Sequence, residues 1–223
     1  MPALDEILPG LHRWTAQVPD WTPDQGGPEG WAQEVACIAW EGDGAVVLVD
    51  PLVNGDDWAE IDALVERHGG PVAIVTTCPW HARSAGEAIA RYVNSPGVAT
   101  YAHSTTAADG ERIAFEVTHP ISGAAELPGG ASAFTTDAPQ GEITLWIESI
   151  RAVVAGDVLI GAEGERTEAL RVCPQPWLDP LNTVDAVKTA LTPLLEREIG
   201  AIVPLHGAPV LSGAKEALRT ALA

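Results

Sequence analysis

Short, almost unbroken apolar runs alternate along the chain with joints rich in glycine, proline and aspartate. The clearest runs are AVVLVD at 45–50 and PVAIVTT at 71–77. A strand with one wet face alternates apolar and polar residues, so continuous runs of this kind point to strands buried on both faces of a covered sheet. Residues 34–40 form a β-rich run before the first of them. The joint Glu41-Gly42-Asp43-Gly44 has glycines free to take positive φ and predicts a hairpin. Between the two runs, Ile61, Leu64 and Val65 stand at helical spacing within 57–68, and Gly69-Gly70 supplies a left-handed stop.

The same reading continues to the C-terminus. Residues 84–93 predict a helix, with Ser84 as N-cap and Glu87 at capping-box spacing. Segments 98–101, 113–117, 131–135, 142–148 and 152–154 read as short strands. Asn182 or Thr183 caps a helix that turns Val184, Val187, Leu191 and Leu195 inward, and Pro193 must kink it or begin another. Residues 201–205 form a last strand and Ala214–Leu222 a closing helix. The stretch PDWTPDQGGPEG at 19–30 is a loop between strands, with Trp21 and Trp31 available to anchor it as a rim or lid. Strands and helices that interleave in this way, with several strands apolar on both faces, predict a layered α/β sandwich. No linker divides the chain, so one domain is expected over 1–223.

At 223 residues and 46% hydrophobic, the chain can build a sizeable core. Neither an export signal nor an apolar span of membrane length is evident, and the expected compartment is the cytoplasm. A formal net charge of −19, from 31 acidic and 12 basic residues, argues against nucleic acid and anionic membranes as partners. A small molecule remains the expected partner. The acidic residues are scattered, as on a solvated surface. Cys37, Cys78 and Cys173 include no CxxC pair and read first as packed thiols. Trp14, Trp21, Trp31 and Trp40 crowd the first 40 residues, where they can pack a core or line a cleft.

Three polar residues each follow a buried run directly: His81 after AIVTTCPW, Asp157 after AVVAG and His206 after AIVPL. Strand ends that share an edge are where layered α/β proteins assemble sites. Two imidazoles and a carboxylate suit zinc, or iron or manganese, and leave positions open for water. Arg83, beside His81, can receive an anion or pair with Asp50 or Asp157. His12, His68, His103 and His119 read as scattered surface or loop residues. A GxSxG elbow, a P-loop and an HExxH helix are all missing from the sequence.

These residues, in this order, resemble the metallo-β-lactamase superfamily. VVLVDP (46–51) is similar to the family's second-strand aspartate segment, placing that aspartate at Asp50, and TTCPWHARSAGEAIARY (76–92) stands where its HxHxDH turn and helix fall. VVAGDVL (153–159) resembles the Gly-Asp strand end, and IVPLHGAPV (202–210) the late His-Gly strand end. The resemblance implies an αββα four-layer sandwich and a metal site held by His81, Asp157 and His206, with Asp50, Trp80 and Arg83 around it. The sequence departs from the pattern at Thr76 and Cys78, in place of two histidines, at Trp80, in place of a metal-binding aspartate, and near Ala138, where a further histidine is missing. What it implies is therefore a depleted site. Such a site is either a mononuclear metal-dependent hydrolase or a metal-free scaffold that binds a small molecule or partner.

Overall fold

The computed structural model describes residues 4–27, 29–136, 141–164, 168–178 and 180–223. Its first half is a seven-stranded sheet in sequential order: β1 (Asp5–Leu8), β2 (Leu11–Gln17), β3 (Glu34–Gly42), β4 (Ala45–Val49), β5 (Val72–Thr76), β6 (Val98–His103) and β7 (His119–Ile121). Pairing is antiparallel from β1 to β4 and parallel from β4 to β7. The parallel crossovers carry α1 (Ala59–His68) and α2 (Ala85–Tyr92), and the single turn α3 (Ser104–Ala107) follows β6.

The second sheet contains β8 (Ala125–Glu126), β9 (Ala131–Thr136), β10 (Glu142–Ile147) and β11 (Ala152–Ala155). A two-stranded ribbon of β12 (Leu159–Gly161) and β13 (Leu170–Val172) follows, then α4 (Val184–Leu191), β14 (Ala201–Pro204) and α5 (Ala214–Leu222). Strand β14 joins the second sheet beside β11, in parallel, and the spatial order is β14-β11-β10-β9-β8.

Side-chain alternation explains the layers. In β4, Val47 and Val49 face the opposite sheet, where they meet Ile143, Leu145, Val154 and Val203 in a central core. Val46 and Leu48, one residue out of phase, pack with Ile61, Leu64 and Val65 of α1 and Ala85 and Ala88 of α2. The second sheet repeats the arrangement, turning Val153, Ala155 and Ile202 toward Val187 and Leu191 of α4 and Leu218 of α5. Burial on both faces is the reason that these strands are continuously apolar. The result is the expected helix, sheet, sheet, helix sandwich.

Three local expectations are corrected. Segment 113–117 is not a strand. The Thr100 hydroxyl takes the Glu116 carbonyl and the Thr118 N–H, so side-chain bonds replace the ladder until His119. Ser84 stands at the N-cap of α2 as expected, but its hydroxyl makes no capping bond and accepts the Val53 N–H instead. His12 and His103 are buried rather than superficial. The His12 ring lies 2.6 Å from Glu41, and the His103 ring bonds Thr105. Pro193 does what the sequence expects of it: it is the second residue of a new 3₁₀ turn (Thr192–Glu196) that continues directly from α4. The position near Ala138 lies outside the described residues.

Candidate functional site

The C-terminal ends of the parallel pairs β4–β5 and β11–β14 meet at one edge of the sandwich. Backbone bonds join the halves there, from Ala36 N–H to Leu205 O (2.8 Å) and from Ile143 N–H to Thr77 O (2.9 Å). Asp50 follows β4, Thr77 and Cys78 follow β5, and His81 ends a 3₁₀ turn (Pro79–His81). Asp157 lies two residues past β11, and His206 two residues past β14. Two glycines make the approach possible. A Cβ on Gly156 would meet the Thr77 hydroxyl at 2.5 Å, and one on Gly207, at φ +80°, would meet Gly161 O at 2.6 Å.

Asp50 is fully buried and organises the first half of the site. Its carboxylate accepts the Thr77 N–H (2.7 Å), the Thr77 hydroxyl and the His81 Nδ1–H (2.7 Å). Because Asp50 is the acceptor, His81 carries its proton on Nδ1 and presents Nε2 to the cleft. Asp157 Oδ1 lies 3.2 Å from this Nε2 and 3.1 Å from Nε2 of His206. Neither contact is aligned as a hydrogen bond, and Asp157 Oδ1 and His206 Nδ1 are buried with no hydrogen-bond partner. Cys78 Sγ lies 3.6 Å from the other Asp157 oxygen. Donor atoms of Cys78, His81 and Asp157 all fall within 4.8 Å of one another.

The charge states follow from this packing. Burial and the Arg83 cation act against protonating His81, yet Asp157 and Asp50 outweigh them and hold its pKa above the usual value. Burial dominates at His206 and lowers its pKa. Burial alone would raise the Asp157 pKa, but the two imidazoles bring it well below the carboxylate range. The Cys78 thiol is pushed far up by burial and by the neighbouring carboxylates.

Above these groups opens a cleft of about 700 Å³, lined by Trp31, Trp80, Arg83, Asp157, Trp177 and His206 among others. Trp31 and Trp177 stand edge-on to the His206 ring, at centroid distances of 5.6 and 5.3 Å. Trp80 is 45% exposed at the rim beneath the Arg112 guanidinium. Arg83 pairs with neither carboxylate. It donates to the backbone carbonyls of Ala36 and Asp50, both at 3.2 Å.

His81, Asp157 and His206 thus come together, with Asp50 behind His81 and with Trp80 and Arg83 on the cleft wall. Sequence reading missed two neighbours. Cys78 belongs to the donor cluster, although a thiol beside an apolar run reads as packing. Glu142 is completely buried on β10, with both carboxylate oxygens 3.1 Å from the Val158 N–H. Burial, reinforced by Asp157, raises its pKa well above the carboxylate range.

A divalent ion fits this donor set. A neutral imidazole Nε2 and a carboxylate oxygen both present lone pairs, so their approach to about 3 Å calls for a proton or a cation between them. Thiol, imidazole and carboxylate together are donors suited to zinc.

No family model matches the sequence, and no curated protein matches it. Solved structures do match. The metallo-beta-lactamase from Hirschia baltica superposes with a TM-score of 0.71 at 15% identity, covering 99% of this chain and 96% of that one. DIM-1 metallo-beta-lactamase gives 0.71 at 11% identity, over 99% and 96% of the two chains. The metallo-beta-lactamase FIM-1 from Pseudomonas aeruginosa, in its mono-zinc form, gives 0.70 at 14% identity, over 99% and 94%. The chain therefore has the metallo-β-lactamase fold.

Proposed function

We propose that this protein of metallo-β-lactamase fold is a mononuclear metal-dependent hydrolase acting on a small molecule held in the tryptophan-walled cleft. One observation carries the reading: His81 Nε2 and His206 Nε2 converge on Asp157 Oδ1 at 3.2 and 3.1 Å without hydrogen-bond alignment, on the floor of the cleft. His81, Asp157 and His206 would hold the ion, and Cys78 is placed to join them. A bound divalent ion supplies Lewis-acid polarisation and a water that ionises near neutral pH.

The chain's own residues account for the rest. Asp50 fixes the tautomer and the angle of His81, as a carboxylate behind a ligating imidazole does. Trp31 and Trp177 hold the His206 ring between two aromatic edges and narrow the water-accessible space around it. Thr76 and Trp80 replace a histidine and an aspartate of the family pattern, which leaves too few donors for a second ion and favours one.

The test is the metal content of untagged protein purified without added metal. About one zinc, iron or manganese ion per chain is expected, lost in His206→Ala, with chelator lowering the thermal midpoint. Cobalt-loaded protein should show a near-ultraviolet thiolate band that Cys78→Ser removes if the thiol is a ligand. Substoichiometric metal even after loading would sink the hydrolase reading and leave a metal-free binding scaffold.

A further inference from the structure

We propose that the protein has a second small-molecule site, on the helical side of the second sheet, that takes a monocarboxylate with an apolar body. The site is a cavity of about 420 Å³ between β9–β10 and α4 with the 3₁₀ turn after it, lined by Phe134, Thr144, Leu191, Leu194 and Arg197 among others. That volume suits a small organic ligand. It shares no lining residue with the cleft over His206 and stands independently of the hydrolase reading.

The outer face of β10 explains why this cavity calls for a polar guest. Residues 143, 145 and 147 point into the central core, so Thr144 and Trp146 point under the helices. Both are buried, and neither the Thr144 hydroxyl nor the Trp146 indole N–H has a hydrogen-bond partner. Thr144 lines the cavity directly, and an acceptor atom placed there would satisfy its hydroxyl.

Arg197 supplies the charge. Its guanidinium lies over the Phe134 ring at 4.9 Å and over the Trp146 ring at 5.3 Å. No carboxylate among the described residues pairs with it. A guanidinium stacked on aromatic faces keeps its N–H edge available for a bidentate acceptor. The Thr135 hydroxyl, by contrast, already accepts the Gly123 N–H. Of the cavity's lining groups, the Thr144 hydroxyl has an unmade bond and the Arg197 guanidinium is a donor by nature, which selects a ligand rich in acceptors at one end.

The remaining wall selects the other end. Phe134, Leu191 and Leu194, with Pro193 beside them, offer only apolar contact. Glu196, exposed at the rim, opposes a second negative charge and so favours a monocarboxylate over a dianion.

Isothermal titration of the purified chain with 4-phenylbutyrate, indole-3-acetate and octanoate tests the site, with 4-phenylbutanol as the uncharged control. At least one acid should bind one per chain, and the alcohol should bind about tenfold more weakly or worse. Arg197→Gln and the near-isosteric Thr144→Val should each weaken the acid about tenfold, while His206→Ala leaves it unchanged. Absence of saturable binding for all three acids would overturn the proposal. So would binding that His206→Ala abolishes and Arg197→Gln leaves intact, since the acid would then sit at the metal centre.

Discussion

Asp50 shows how much of the site one residue can set. It occupies a left-handed backbone conformation, φ +47°, at the end of β4, where it is completely buried and collects three donors. Aspartate and asparagine tolerate that conformation better than other side chains with a Cβ, so Asp50→Asn keeps the turn but removes the charge behind His81. Losing such a carboxylate should weaken zinc binding by about 10–100-fold, measured by competition with a chromophoric chelator. An unchanged affinity in a folded Asp50→Asn protein would mean that His81 is not a ligand. At this scale Asp50, His81, Asp157 and His206 were legible because each follows a buried run whose end must lie at a sheet edge. Cys78 and Glu142 were not. A thiol is at home in an apolar core, and a lone glutamate in a strand reads as solvent-facing unless its neighbours across the fold are known.

Elements were legible in proportion to how fully they are buried. Strands β4, β5, β10, β11 and β14 have apolar residues on both faces, so length and continuity revealed them. The ribbon β12–β13 and the edge strands β7 and β8 are two or three residues long and carry too little pattern. Helix α1 was readable to its last residue, since Gly69 takes φ +69° as the left-handed cap. What ties α1 to α2 was not readable. Asp62 accepts from Arg91 Nε at 2.6 Å and from the Tyr92 hydroxyl at 3.0 Å, linking the two helices through residues 29 and 30 positions apart in the sequence. The Arg91 bond lowers the Asp62 pKa, with burial opposing and Tyr92 assisting. A carboxylate depressed in the folded state stabilises it above its unfolded pKa, and the effect is lost as pH falls through the folded value. Asp62→Asn should therefore lose about 1 kcal/mol in urea unfolding at neutral pH, the size expected for an exposed pair with one further hydrogen bond. The gap to wild type should hold down to about pH 4 and close only below it. A gap that stayed constant through pH 3 would show that the loss comes from packing rather than from charge.

Across the whole molecule, the two sheets form a continuous interior, yet the site lies on the seam between them and depends on how the seam is closed. Segment 18–33 leaves the first sheet and is tied to the second half twice: Ala32 N–H donates to Glu163 (2.7 Å), and the Trp177 indole donates to Glu29 O (2.6 Å). Within the segment, the Trp21 indole holds Trp31 O at 3.1 Å, and Trp31 then stands against His206. Sequence marked Trp21 and Trp31 as anchors of a rim, and Trp21 does hold Trp31 within the segment; the ties to the second half, made through Ala32 and Glu29, reach 131 and 148 residues further along the chain and were not readable. Trp177 is the better test of this arrangement because it touches both the segment and His206. Trp177→Ala removes one backbone tie, one wall of the cleft and a contact at the edge of the core under α4 and α5, so global stability should fall modestly while the segment loosens more. Cleavage by thermolysin within 19–30, mapped by mass spectrometry, should accelerate several-fold, because proteolysis follows the population of the locally opened state. If the cleavage rate stays at the wild-type value, the Glu163 tie alone holds the segment, and the rim is fixed by the chain that carries Glu163 rather than by the aromatic contact at His206.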